Sequence, residues 1–84
     1  MSTEASIREF ILENYLFTDD ESELKNNESL IESGVIDSTG IMEVIAFLQK
    51  EFDIVVEDDE MIPENLDSVD NILNYLKKKG VDTQ

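Results

Sequence analysis

The stretch GVIDSTGIMEVIAFLQKEF, which runs from Gly34 to Phe52, carries the clearest helical pattern in the chain. Its apolar residues recur every three or four positions, so at about 100° per residue they share one face of a helix. These residues are Ile41, Val44, Ile45, Leu48 and Phe52. Asp37 and Ser38 precede this face, and both are residue types that cap a helix N-terminus well. The pattern predicts an amphipathic helix that begins next to an Asp-Ser pair.

Two other segments have helical spacing. The first begins at about Thr3, and its apolar residues are Ile7, Phe10, Ile11 and Phe17. The last covers about residues 68–79, and its apolar stripe consists of Val69, Ile72, Leu73 and Leu76. Lysines near its end suit the negative end of the helix dipole, and Gly80 suits a C-terminal stop. A short helical turn is also predicted, near residues 57–62 or near residues 63–66.

A polar segment, TDDESELKNNESLIESGVID, separates the first two helices. Apolar residues are spaced through it, which favours an ordered loop pinned to the core over a free linker. They are Leu24, Leu30, Ile31, Val35 and Ile36. The predicted fold is therefore all-α: a small antiparallel bundle of three main helices and one short helix, with a long loop between helices 1 and 2. Residues 1–84 are expected to form one domain.

The composition is strongly acidic. The chain has 84 residues, with 21 acidic against 6 basic side chains and a formal net charge of -15. This charge repels nucleic acid and anionic membrane surfaces, and it attracts proteins with basic patches. We therefore expect protein partners, no nucleic acid partner, and a monomer. No apolar run reaches the length of a membrane span and the first residues do not resemble a signal peptide, so no membrane insertion and a cytoplasmic location are expected.

The chain has neither histidine nor cysteine. A serine hydrolase triad, thiol catalysis and zinc-thiolate sites are thereby excluded. The acidic run Glu57-Asp58-Asp59-Glu60 does not have the ligand spacing of a calcium loop, so no dedicated metal site is expected. No pair of carboxylates is distinguished by its spacing. The residues on their own therefore single out no catalytic site.

Asp37 and Ser38 have two interpretations on local chemistry. The pair either caps the helix or marks a serine to which something is attached. A second pair, Asp67 and Ser68, precedes the last helix in the same way, where a cap is sufficient. Judged on these physical grounds, capping is the better interpretation at both pairs.

The order of the predicted elements, together with SLIESGVIDSTGIMEVIAFLQKEFDI and LDSVDNILNYL, resembles the acyl carrier protein family and its peptidyl and D-alanyl carrier relatives. The resemblance implies that a phosphopantetheinyl transferase attaches 4'-phosphopantetheine from coenzyme A to Ser38. The arm would carry acyl or aminoacyl groups as thioesters, loaded by a ligase and passed to downstream transferases or synthases with basic patches. Asp37 would cap the helix and help the transferase recognise the site.

The resemblance also suggests partner contacts and a cargo pocket. Partner enzymes would contact Thr39, Met42 and Glu43, although packing against a neighbouring element is an equal alternative for Met42. An acyl chain would fold back among residues that are also ordinary core residues, namely Val44, Leu48, Val56, Met61 and Leu66.

Some residues depart from the family pattern. Thr39 and Gly40 stand where fatty-acid-synthesis carriers usually have Leu and an acidic residue, and Gln49 and Lys50 stand where two acids are frequent. Thr39 weakens an apolar contact normally offered to partners, and Gly40 is expected to loosen the first helical turn. These departures favour a specialised pathway over general fatty acid synthesis. The alternatives to a carrier are, first, an unmodified acidic interaction domain and, second, an enzyme. The sequence does not identify the cargo.

Overall fold

The computed structural model describes residues 2–82, and the described chain is all-helical, as predicted. The first helix, α1 (Thr3–Ile11), continues into a wider π-helical turn over Leu12–Leu16, and two 3₁₀ turns lie in the loops, at Glu21–Glu23 and Asp58–Glu60. The α-helices are α1 (Thr3–Ile11), α2 (Ser38–Phe52), α3 (Pro63–Leu66) and α4 (Val69–Lys78). No strand occurs in residues 2–82. The three main helices and the short fourth one are therefore confirmed.

The helices begin and end where the sequence provides caps. The side chain of Ser2 accepts a hydrogen bond from the Ala5 N–H at 3.1 Å and so caps α1. Pro63 stands at the first position of α3, where its missing N–H costs nothing. After α4 the chain turns at Gly80, whose φ of +88° is the left-handed conformation that glycine adopts without strain.

The core is formed by the predicted faces of the three main helices together with loop residues. Its buried members are Ile7, Ile11, Leu12, Leu24, Leu30, Ile36, Val44, Ile45, Leu48, Val56, Leu66, Val69, Ile72, Tyr75 and Leu76. A group of stacked aromatic rings packs against this core. The rings of Phe10 and Phe47 stack with centroids 4.2 Å apart, and Phe52 meets Phe47 edge-on at 6.2 Å.

The long loop between α1 and α2 is ordered, as predicted. Leu24, Leu30 and Ile36 are buried, and the Leu30 N–H donates to the Asp67 carbonyl across the molecule at 2.6 Å. At the other end of the loop, the guanidinium of Arg8 donates to the side chain and the carbonyl of Glu21. The loop is thus pinned both to α1 and to the start of α4.

Two details differ from the sequence prediction. Phe17 does not share the buried face of α1, because the helix ends there: its φ of 53° is left-handed and its side chain is 83% exposed. The two positions considered for a short helical turn are both helical, one as the 3₁₀ turn Asp58–Glu60 and the other as α3.

None of the described helices combines the length and the apolar character needed to cross a bilayer.

Candidate functional site

The start of α2 is capped by Asp37 and not by Ser38. The backbone of Asp37 is extended, and its Oδ1 accepts a hydrogen bond from the Gly40 N–H at 2.7 Å. Ser38 is the first residue of the helix proper, and its side chain is exposed. Because the carboxylate of Asp37 already serves as the cap, the Ser38 hydroxyl is not needed for that purpose.

The second Asp-Ser pair has the opposite arrangement. Ser68 is itself the cap of α4: its Oγ accepts from the Asn71 N–H at 3.0 Å, and the residue is only 6% exposed. The carboxylate of Asp67 faces the long loop, where it accepts from the Ser29 hydroxyl at 2.7 Å and from the Ile31 N–H at 3.0 Å. The two pairs look equivalent in sequence, but the structure leaves an accessible serine only at Ser38.

Gly40 lies in the first turn of α2 and is buried. A Cβ atom built on it would lie 2.8 Å from Ile36 Cγ2 and 3.2 Å from Tyr15 Cε1, both closer than ordinary contact. The expected loosening of this turn is therefore not what the structure shows. The turn is capped by Asp37 and packed on both sides, and any side chain at position 40 would force Ile36 and Tyr15 to shift.

Tyr15 makes a contact with this turn that sequence reasoning missed. Its hydroxyl lies 2.8 Å from Oε2 of Glu43 and 3.2 Å from the carbonyl oxygen of Gly40. Burial first, and then the hydrogen bond and the negative charge of Glu43, raise the pKa of Tyr15 to about 12, with a smaller contribution from Asp37. Tyr15 and Gly40 are 25 residues apart in sequence, so local periodicity carries no signal for this contact.

An apolar pocket of about 120 Å³ opens beside Ser38. It lies between the long loop, the first turns of α2 and the α3 region, and its lining consists of Ile31, Ser38, Ile41, Met61, Ile62, Pro63, Leu66 and Asp67. Met61 and Leu66 were among the expected pocket residues. The other three, Val44, Leu48 and Val56, are core residues that do not line this pocket.

The residues expected to contact partners lie on the outer side of the same turns. Thr39, Met42 and Glu43 are all exposed, with Met42 at 56%. Met42 is therefore not a buried core residue and is accessible from solvent, and its contact with partners stays a prediction. In residues 2–82, no three carboxylates come together in a way that could bind a metal ion.

Comparison with known proteins gives one informative relative. The chain is 40% identical over 58 residues to a protein named acyl carrier protein from Clostridium acetobutylicum. The matched region covers 69% of this chain and 73% of that protein. No family model matches the chain.

Proposed function

Because the chain belongs to the acyl carrier protein family, we propose that it carries acyl or aminoacyl groups as thioesters on a 4'-phosphopantetheine arm attached to Ser38. The role of a carrier protein follows from the family. The attachment site, the prosthetic group and the type of cargo are the proposal. The one observation that supports Ser38 most strongly is its exposed hydroxyl at the first position of α2, beside an apolar pocket.

The residues around Ser38 fit such a group. A phosphodiester on Ser38 would lie at the N-terminus of a 15-residue helix, where the dipole and the N–H groups of the first turn favour an anion. The apolar side chains of Ile41, Met61 and Ile62 would contact the apolar parts of an arm that turns into the pocket. The arm supplies a thiol when attached, which this chain, having no cysteine, lacks.

In the modification reaction, Ser38 provides only the attacking oxygen. Its Oγ would form a bond to the phosphorus of coenzyme A that carries the pantetheine, the bond from that phosphorus to 3',5'-ADP would break, and the hydroxyl proton would pass to a base of the transferase. The chain positions the serine through its capped helix. We infer that the chemistry itself belongs to the partner enzyme, a phosphopantetheinyl transferase.

The proposal extends to partners and pathway. Acyl- or aminoacyl-loading ligases and downstream transferases or synthases would approach with basic patches, because the net charge of the chain is -15. Thr39, Met42 and Glu43 would contact them. Thr39 and Gly40 favour a specialised pathway over general fatty acid synthesis. We also propose that residues 1–84 act as one domain, as a monomer in the cytoplasm.

Intact mass tests the attachment site. The purified chain is incubated with coenzyme A and a broad-specificity phosphopantetheinyl transferase, beside Ser38→Ala and Ser68→Ala. Ser33→Ala is a better matched control than Ser68→Ala, because Ser33 is an exposed serine of the loop that precedes α2, and its hydroxyl donates a hydrogen bond to the Leu30 carbonyl. We expect the mass of one phosphopantetheine on every chain except Ser38→Ala.

A gain of mass that persists in Ser38→Ala would place the attachment elsewhere. If several transferases add no mass to the folded protein, Asp37 and Ser38 serve only as the start of a helix. An unmodified acidic interaction domain would then be the better description of the protein.

A further inference from the structure

Tyr15 fills two roles at the first turn of α2, and only one of them is packing. Its ring edge lies against Gly40, which a phenylalanine ring would do equally well. Its hydroxyl lies within hydrogen-bond distance of two acceptors, the Glu43 carboxylate and the Gly40 carbonyl. A phenol has one hydrogen to donate, and the shorter distance of 2.8 Å and the negative charge both favour Glu43 as its acceptor.

This hydrogen bond restrains a side chain that would otherwise rotate in solvent. Glu43 is exposed on α2, one turn and a half beyond Ser38. Tyr15 engages its Oε2, which leaves Oε1 as the oxygen that a basic group of a partner would contact. A side chain that is already fixed loses less conformational entropy on binding than a free one.

We propose that Tyr15 is a positioning residue for the Ser38 site, holding Glu43 in the orientation in which enzymes that act at Ser38 bind it. This inference rests on the proposed function. It assigns to a residue of the first helix a part in partner recognition, although Tyr15 itself need not touch the partner. The glycine at position 40 is part of the arrangement, because it lets the tyrosine ring approach α2.

The kinetics of the transferase test the proposal. We expect Tyr15→Phe to raise the KM for the carrier roughly three- to tenfold, the effect of freeing one side chain at an interface. The kcat should change by less than about twofold, because an interaction made equally in the ground state and transition state affects KM alone. Since Tyr15 acts through Glu43, the same substitution in a Glu43→Ala background should have no further effect.

Tyr75 provides a matched control. Its hydroxyl also donates to a glutamate, Oε1 of Glu60 at 2.9 Å, but this contact joins α4 to the 3₁₀ turn Asp58–Glu60, which does not carry Ser38. Tyr75→Phe removes an equivalent hydrogen bond and should leave KM unchanged. A KM that rises equally in both variants would indicate a general loss of stability and would overturn the proposal, as would an unchanged or lower KM in Tyr15→Phe.

A second measurement is independent of modification. The chain has two tyrosines and no tryptophan, so in Tyr75→Phe the phenolate absorbance reports on Tyr15 alone. With a pKa of about 12, about one tenth of Tyr15 is ionised at pH 11, where circular dichroism shows whether the helices persist. We expect a clearly larger ionised fraction in Tyr75→Phe/Glu43→Gln.

An equal ionised fraction with and without Glu43 would show that the hydroxyl is not bonded to Glu43, and the inference would be wrong even if Ser38 is modified. A different result would overturn the proposed function: the ionised fraction of Tyr15 depends on Glu43 as expected, but the wild-type chain is not modified. The recognition role of Tyr15 would then be overturned as well. The two failures are therefore distinguishable.

Discussion

Gly40 lies two residues after Ser38 in the first turn of α2, and neighbouring side chains pack closely against it. Its position is helical, so glycine is not required there by the backbone. It is favoured by space, because a Cβ atom at this position would come too close to Ile36 and Tyr15. Two opposite effects therefore compete at this position: alanine is the better helix former, and it is the worse fit.

The fit should decide the outcome of Gly40→Ala. Helix propensity favours alanine by about 1 kcal/mol, whereas overpacking a tight contact costs about 1–3 kcal/mol. The nearest atom, Ile36 Cγ2, is attached directly to Cβ and cannot swing away like the end of a long side chain. We expect a net loss of about 1 kcal/mol in the free energy of unfolding, measured by urea denaturation.

Thr39→Ala is the control for that measurement. It introduces the same residue one position earlier in the helix, at an exposed site, and should leave stability unchanged or slightly higher. If Gly40→Ala proves more stable than the wild type, the contact with Ile36 relaxes freely and the turn is less tightly packed than described.

At the scale of the elements, Arg8 connects α1 to the long loop. Its side chain is 12% exposed, and its guanidinium donates to the Glu21 carbonyl at 2.8 Å and to Oδ1 of Asn26. Asn26 in turn donates to the Glu4 carboxylate at 2.8 Å. The ion pair of Arg8 with Glu21, at 3.2 Å, is only a part of this arrangement, and the carboxylate partner is largely exposed.

We expect Arg8→Lys to destabilise the protein although it keeps the charge. A lysine cannot reproduce the planar fork of donors, so one or more hydrogen bonds are lost, at about 1 kcal/mol each. Glu21→Gln removes the exposed ion pair and keeps the carbonyl contact, so its effect should stay below about 0.5 kcal/mol. Urea unfolding gives both values, and hydrogen exchange should show faster opening of the loop in Arg8→Lys. Equal effects of the two substitutions would mean that the charge pair, and not the hydrogen-bonded fork, anchors the loop.

The elements also show what the sequence could and could not predict. The main helices follow from the spacing of Ile41, Val44 and Leu48 and of their counterparts in α1 and α4, because one-sided burial imposes that spacing. Phe17 broke the pattern, because an αL residue ends the helix and turns the side chain outward. Periodicity cannot detect such an ending when the residue itself is apolar.

The sequence predicted part of the candidate site, including Met61 and Leu66 of the pocket lining. Resemblance singled out Asp37, Ser38, Thr39, Met42 and Glu43, which are consecutive or nearly so. The contact of Tyr15 with α2 and the wall that Ile31 contributes to the pocket join segments distant in sequence. A single sequence contains no periodicity that relates such segments, so these contacts required the folded chain.

For the whole molecule, the excess of acidic residues is the dominant electrostatic feature. The formal net charge is -15, and within the described part of the chain ion pairs link only Arg8 to Glu21 and Lys79 to Glu60. Most carboxylates therefore repel one another in the compact state more than in the unfolded chain.

Added salt should accordingly raise the melting temperature. Raising the ionic strength from about 0.01 M to about 0.15 M shortens the Debye length from about 30 Å to about 8 Å, which is smaller than the extents of the molecule, 29 × 27 × 20 Å. We expect Tm, followed by circular dichroism in sodium chloride, to increase over this range. A variant with Glu13→Lys and Glu51→Lys, two exposed positions, should respond less. A melting temperature that is flat or falls with salt would contradict the argument.

The two Asp-Ser pairs finally show how the starting point of a helix decides the exposure of a serine. The dipeptide is the same in both, and what differs is the phase of the helix: α2 starts on its serine, whereas α4 starts one residue after it. A difference of one residue in the start of the helix thus separates an exposed serine from a buried serine that caps its helix. Which serine of the two pairs is exposed is therefore set by where its helix starts, so a shift of that start by one residue would exchange exposure for capping without any new side chain.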